Sequence, residues 1–310
     1  MSSPVICIGA TLIDELFFCK EEAVAATSNP AFVKRAAGGV VCNIARHLGL
    51  LNIPVELITI VGNDTDGNWL RSEIEKCNVG TQHLIEVEVP TGKYVSILNK
   101  DGSLYAAACS DVSVEYLTPQ ALQLYASLLS TASLIVSDTN LSVAAITWLS
   151  AFCKQKNIRL IIEPVSVLKA KKLATADVSG IFMVTPNEDE LPHLSSTPQR
   201  ERDFLLEEIL HRGIENIWLR KGVNGSSVYS KRIAVDLDAA NISVLDTTGA
   251  GDAALAGWIT ADHLGMEELK CLQAGHTLAF EVLQIKGAIL ENINQQKLFT
   301  LIQKYYPDVI

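Results

Sequence analysis

The stretch Asn241-Ile-Ser-Val-Leu-Asp-Thr-Thr-Gly-Ala-Gly-Asp-Ala-Ala-Leu-Ala-Gly257 decides how the rest of the chain is read. The residues up to Asp246 predict a short strand, Gly249-Ala250-Gly251 a tight turn, and the apolar run from Asp252 a helix. Glycines at a helix N-terminus let successive backbone N–H groups converge on an anion, and the helix dipole adds to the attraction. Such a cradle suits a phosphoryl group whose charge grows during transfer. Asp252 stands at its mouth, where a carboxylate repels phosphate unless it has a task. Taking the proton of an attacking hydroxyl is such a task. The plainer alternative is that Asp252 caps the helix after a glycine turn. Gly249-Ala-Gly251-Asp-Ala-Ala254 also matches the dinucleotide fingerprint G-x-G-x-x-A, but that fingerprint opens a strand–helix–strand unit. Here the downstream chain reads as helix after helix, so context excludes it.

Upstream, short β-branched runs at 5–9, 55–61, 133–137, 159–163, 181–184 and 217–220 alternate with helical patterns at 40–51, 67–77, 142–156 and 202–212. Continuous apolar strands separated by helices imply an α/β fold with a parallel sheet covered on both faces. After Arg220 the pattern changes to an antiparallel hairpin, 226–230 with 233–237, at the sheet edge. From Asp252 the chain reads as helical almost to Pro307. Two stretches break the alternation: 12–37, and 84–111 with its turn signal Asn99-Lys100-Asp101-Gly102. They predict extra strands that meet as a small β lid. No repeat or linker divides the chain, so a single domain over 1–310 with the lid as an insertion is expected.

The chain has 310 residues, 48% hydrophobic and 19% charged, which provides for a large core and excludes disorder and collagen-like repeats. With 25 Lys+Arg against 35 Asp+Glu the net charge is −10, which argues against nucleic acid or an anionic membrane as the partner. A small phosphorylated ligand stays open, because a local site can be positive inside an acidic protein. Seven cysteines without a C-x-x-C pair read as reduced thiols. The first residues lack a basic leader, and no apolar run approaches the roughly 18 residues that span a bilayer, so a soluble cytoplasmic protein is expected. No G-x-x-x-x-G-K-[ST] loop occurs, and His211-Arg212-Gly213 is not the protein-kinase H-R-D.

Asp246-Thr-Thr-Gly-Ala-Gly-Asp252 resembles the C-terminal signature of the ribokinase (PfkB-type) family of sugar and nucleoside kinases. Ala37-Gly38-Gly39-Val40-Val41-Cys42-Asn43-Ile44-Ala45 is similar to that family's Gly-Gly-x-x-x-Asn-x-Ala signature. Asp14 after the first strand, Asn187-Glu-Asp-Glu190, and Lys221-Gly222-Val-Asn-Gly225 extend the resemblance over the whole chain. It implies a ribokinase-like three-layer α/β/α sandwich with a mostly parallel central sheet and a small β-sheet lid. It also implies an ATP-dependent kinase that uses Mg²⁺ and, as in many members, a monovalent cation such as K⁺.

The roles implied are these. Asp252 is the general base, and the amides of Gly249, Ala250 and Gly251 form the anion hole. Asp14, Gly38, Gly39 and Asn43 hold the sugar; one carboxylate can accept hydrogen bonds from two adjacent hydroxyls. Asn187, Lys221, Gly222, Gly225, Thr248 and Gly251 meet the nucleotide. Glu190 orders Mg²⁺ through water, since Mg²⁺ keeps several waters, and Asp246 lies at the monovalent-cation position. His276 and the four tryptophans are expected to pack rather than bind. A homodimer through the lid is expected, because the lid's uncovered face would otherwise expose apolar residues.

Three further stretches are similar to the pseudouridine-phosphorylating branch of the family: Thr27-Ser28-Asn29-Pro30, Ser137-Asp138-Thr139-Asn140-Leu141-Ser142 and Glu163-Pro164-Val165-Ser166. They imply that Ser28, Asn29 and Asn140 meet the nucleobase, that Glu163 belongs to the substrate site, where its longer carboxylate either shifts the pocket or contacts solvent, and that the 5′-hydroxyl of pseudouridine is the acceptor. A site built to bond one ring N–H rejects an analogue lacking it by large factors. Ala10 and Glu163 depart from the Ser and Asp usual in that branch. Ribose, fructose, uridine or adenosine as acceptor, and a non-catalytic nucleoside sensor on the same fold, are the alternatives. An intact Asp252, glycine turn and Asn-x-x-Glu motif argue against the sensor.

Overall fold

Apolar runs that keep both faces out of water become the central strands, and the computed structural model, which describes residues 3–307, shows where each one lies. In chain order the strands are β1 (Val5–Ile8), β2 (Leu12–Cys19), β3 (Ala31–Gly38), β4 (Val55–Gly62), β5 (Leu84–Val87), β6 (Lys93–Leu98) and β7 (Leu104–Ser110). They continue with β8 (Leu134–Asp138), β9 (Leu160–Glu163), β10 (Met183–Val184), β11 (Asn216–Arg220), β12 (Ser226–Ser230) and β13 (Ala234–Leu237). Nine of them form one sheet in the order β13-β12-β11-β10-β9-β8-β1-β4-β5. Every neighbour in it is parallel except at β11–β12 and β12–β13, the edge hairpin expected after Arg220.

Alternate residues of each central strand feed two separate cores, as the two-residue pleat requires. Val5, Cys7, Ile161 and Trp218 join the core beneath helices Val40–Leu50, Ala250–His263, Glu268–Leu283 and Gln295–Tyr305. Ile6, Ile8, Leu160, Ile162, Ile217 and Leu219 join the other, beneath helices Val143–Lys156 and Arg202–His211. The result is the three-layer α/β/α sandwich. Local chemistry sets the helix ends. Asp64 accepts from the Gly67 N–H at 2.7 Å, which starts helix Thr65–Glu75 before the expected residue 67. Ser142 caps helix Val143–Lys156, and Asn157 ends it in the left-handed region at φ 53°.

The second sheet, β3-β2-β6-β7, is the lid. Three expectations change here. Residues 84–87 do not belong to it: β5 pairs in parallel with β4 at the edge of the central sheet, with Leu84 and Val87 buried. The lid's second half is therefore 93–110. Nor does a strand precede the glycine turn, since the chain from 238 to 248 is irregular. Its Leu245 and Asp246 amides both donate to Leu283 O at the end of helix Glu268–Leu283, in place of a strand neighbour. The expected C-terminal run of helix is also interrupted, at 284–294.

All seven cysteines are free, and six are buried. Trp218 and Trp258 are buried with ring centres 6.5 Å apart, while Trp69 and Trp148 are half-buried. Among the described residues no helix is long and apolar enough to cross a membrane.

Candidate active site

The parallel strands β1, β8, β9, β10 and β11 all end at one edge of the sheet, where side chains from distant parts of the sequence meet, as is usual for ligand sites of open α/β sheets. Asp252 sits in the first turn of helix Ala250–His263 and is buried. It is not the cap: Gly249 is, with φ 74° and no side-chain bond, a conformation that a Cβ would strain. The capping alternative is thereby removed. The Asp252 carboxylate instead accepts a hydrogen bond from Asn43 Nδ2 at 2.9 Å, across 209 residues of sequence. Burial pushes its pKa up to about 8; the Asn43 bond and Arg220 pull it down, while Glu163 and Asp138 push it further up. A base titrating near the working pH is the effective kind.

Asn43 belongs to the first turn of helix Val40–Leu50, and its amide donates to Gly39 O at 2.9 Å. Gly39 caps that helix at φ 101°, so close to Ala10 O that a Cβ would collide with it. Asn43 Oδ1 is buried and has no hydrogen-bond partner among the described residues. Such an atom costs about 1–3 kcal/mol until a donor arrives, and a substrate hydroxyl is a fitting donor. Asp14 lies on β2 opposite Ala36 and Tyr94, packed so closely on Gly38 that a Cβ there would overlap its carboxylate. Burial raises its pKa to about 6, against the pull of Arg46. Arg46 is itself buried, donates to Ala37 O at 3.0 Å, and its Nε has no partner among the described residues.

At the glycine turn the Gly251 and Asp252 amides have no acceptor among the described residues, whereas the Ala250 N–H reaches Thr247 O at 3.4 Å. Asp246 Oδ1 takes the Thr248 amide and hydroxyl, at 2.9 and 2.7 Å, and Oδ2 takes the Gly287 amide at 2.9 Å. Burial pushes the Asp246 pKa up, but these bonds outweigh it and hold the group below its ordinary value. Both oxygens of the expected monovalent-cation ligand are thus already engaged by the chain.

On the nucleotide side, Asn187 and Glu190 lock each other. The Asn187 amide donates to Glu190 Oε2 at 3.0 Å, and the Glu190 amide to Asn187 Oδ1 at 2.8 Å. Burial raises the Glu190 pKa. Its carboxylate is a hard oxygen donor with one oxygen to spare, which fits an ordered water of Mg²⁺. Among the described residues no group of three or more His, Cys, Asp or Glu is gathered to hold a metal ion. Gly222 and Gly225 bound a tight turn at φ 56° and 79°. The Lys221 ammonium is turned away to Ser227 Oγ, 2.7 Å, and Asp236, 3.4 Å. The neighbouring Arg220 reaches the glycine turn instead, because adjacent side chains at a strand end point to opposite faces.

The expected nucleobase residues are placed less uniformly. Ser28 and Asn29 lie in the exposed turn between β2 and β3, and the Asn29 amide is spent on Val24 N, Val24 O and Thr27 O. Asn140 is buried; its amides donate to Asp138, and its Oδ1 accepts from Lys169. Glu163 is held by the Thr185 hydroxyl and by Arg220. Asp138 is fully buried, and burial pushes its pKa up to about 7. His276 bridges Ser226 and Tyr306, at 2.7 and 2.9 Å, and burial pulls its pKa down to about 4, leaving it neutral. Sequence reasoning passed over Arg46 and Arg220. The signal for Arg220 was its place beside Lys221, where only one of two adjacent cations can face the cleft.

A buried base near 8, two free amides at a helix N-terminus, and an idle carbonyl beside the base can deprotonate a hydroxyl and steady a phosphoryl group. The sequence profile of pfkB family carbohydrate kinases matches residues 3–295. Pseudouridine kinase of Escherichia coli is 29% identical over 261 residues, covering 82% of this chain and 82% of that protein. Ribokinase of Staphylococcus aureus is 22% identical over 311 residues, covering 95% and 100%. Among solved structures, Arabidopsis thaliana ribokinase complexed with ribose and ATP superposes with a TM-score of 0.87 at 19% identity, covering 98% of this chain and 99% of that one.

Proposed function

Because the chain belongs to the pfkB family of carbohydrate kinases, we propose that it moves the γ-phosphoryl group of ATP to a primary hydroxyl of a small sugar or nucleoside held by Asp14 and Asn43. The observation that carries this reading is the Asn43–Asp252 bond, which aligns a raised-pKa base with an unpartnered buried carbonyl beside free amides. Asp14 accepts from hydroxyls of the acceptor, and Asn43 Oδ1 from another. Asp252 takes the proton of the attacking hydroxyl as the new O–P bond forms and the bond to the β-phosphate oxygen breaks. The Gly251 and Asp252 amides, with the helix dipole behind them, steady the charge on the moving group. Glu190, locked to Asn187, would order a water of Mg²⁺, and the ion would supply charge neutralisation on the phosphates. The lid closes over the acceptor and excludes water, which limits wasteful hydrolysis of ATP.

Pseudouridine is the more specific acceptor, and the likeness to the Escherichia coli pseudouridine kinase favours it. Against it, Asn29 and Asn140 spend their amides within the chain, and Glu163 is paired with Arg220. Kinases of plain sugars are also among the relatives. The broader acceptor class is therefore the conclusion, with pseudouridine as its first candidate. A phosphorylation panel of pseudouridine, uridine, adenosine, ribose and fructose with Mg²⁺-ATP tests both levels. Turnover of any member supports the class; rates on ribose or uridine equal to those on pseudouridine remove the finer reading. Tight ATP binding with no product from any acceptor would favour a sensor.

A further inference from the structure

We propose that Arg220 is the residue that contacts the terminal phosphate in this site, and that Glu163, expected from the sequence to belong to the substrate site, positions it; this rests on the kinase reading. Trp218 and Arg220 lie two residues apart on β11 and so share one face of the sheet. Trp218 is packed in the core beside Trp258 of helix Ala250–His263. One pleat further on, Arg220 reaches the first turn of that same helix. Its Nη1 lies so near Gly251 that any Cβ at that position would collide with it. The guanidinium is thus beside the free amides where a phosphoryl group would be cradled.

Its anchoring is unusually one-sided. The Arg220 amide donates to Pro186 O at 2.9 Å, and the backbone bridges to Asn187. Nη2 is held by Glu163 Oε2 and Thr185 O, and the Thr185 hydroxyl steadies the same Glu163 oxygen. Nε is buried without a partner, and Nη1 makes no hydrogen bond among the described residues. A guanidinium serving only as half of an internal ion pair should be satisfied, because nine in ten or more buried polar groups are. Here Nη2 is fixed by the carboxylate while Nη1 lies against Gly251 of the anion cradle. Arginine's planar fork matches phosphate oxygens in that way. Among the described residues that act most on Asp252, Glu163 and Asp138 are anionic and Arg220 is cationic. The ammonium of Lys221 cannot substitute, since Ser227 and Asp236 hold it.

Calorimetry with Mg²⁺ and no acceptor compares ATP with AMP for wild type, Arg220→Gln, Arg220→Lys and Glu163→Gln, alongside turnover on whichever acceptor the panel identifies. If Arg220 grips the terminal phosphate, Arg220→Gln weakens ATP by about 10–100-fold, AMP by less than about twofold, and turnover by about 10²–10³-fold. Arg220→Lys restores part of this, as a point charge without the fork. Glu163→Gln gives an intermediate loss in kcat and ATP preference, with the acceptor KM unchanged. Equal losses for ATP and AMP, or unchanged ATP binding in a folded Arg220→Gln, overturn the role of Arg220. Should that variant not fold, an unaltered ATP-to-AMP ratio in both Arg220→Lys and Glu163→Gln overturns it equally. A tenfold rise in acceptor KM for Glu163→Gln, with ATP preference intact, returns Glu163 to the acceptor pocket. Wild-type protein that binds ATP no better than AMP overturns the kinase reading as well, which separates the two failures.

Discussion

Replacing Asp252 by Asn should cost activity and add stability, and the two effects have one origin. The carboxyl titrates near 8 in the fold against an ordinary value of 3.8, with burial the main cause. Between about pH 4 and 8 the folded chain therefore holds a proton that the unfolded chain has released. Stability falls as pH rises through that window and levels off above 8, by on the order of 5 kcal/mol at about 1.36 kcal/mol for each pH unit. Water entry and relaxation reduce this, so a gain of roughly 2–4 kcal/mol is expected for a side chain that cannot ionise. For a chain of 310 residues, about 2.1 cal/mol/K of unfolding entropy per residue makes that roughly 3–6 °C in Tm. The Asn carbonyl can still accept from Asn43 Nδ2, so the site keeps its shape. Turnover should drop by about 10²–10⁴-fold, with acceptor binding nearly unchanged. Thermal unfolding of both proteins at pH 5, 6, 7 and 8 should show a Tm gap that opens with pH. A gap that is constant or closes, or a variant with near-normal turnover, would refute the reasoning.

Asp14 offers a second pH test, because burial raises its pKa to about 6 and only the carboxylate accepts two hydroxyls. The acceptor KM should be flat above pH 7 and climb as pH falls through 6, while Asp14→Asn should raise KM by about 10–100-fold and flatten that dependence. Pairing of two copies through the lid is checked by sedimentation. The cross-strand row Phe32, Phe18, Leu98 and Leu104 is apolar, with Phe32 67% and Leu104 58% exposed. Wild type should sediment as two chains and Phe32→Glu as one; a single-chain mass for wild type removes the expectation.

Much of the fold was legible because strands buried on both faces cannot hide their composition. The runs at 5–9, 55–61, 133–137 and 159–163 became β1, β4, β8 and β9, each with at most a residue or two of difference at its ends. Residues 84–87 misled because a short edge strand has the same pattern in a lid as in a central sheet; only its pairing with β4 distinguishes them. The segment before the glycine turn misled for a related reason. Its β-branched residues suit a strand, but its amides found the end of a helix first.

The sequence by itself determined the family signatures, the parallel sandwich and the glycine turn before Asp252, because these rest on local backbone needs and on repeating apolar patterns. Which charges face one another was decided only by the tertiary structure. Asn43 and Asp252 are 209 residues apart and meet at 2.9 Å. Glu163 accepts from Arg220 and the Thr185 hydroxyl, and the Lys221 ammonium donates to Ser227 and Asp236. A side chain's partner depends on which strand ends converge and which face each residue takes, and neither is written in the spacing of a motif.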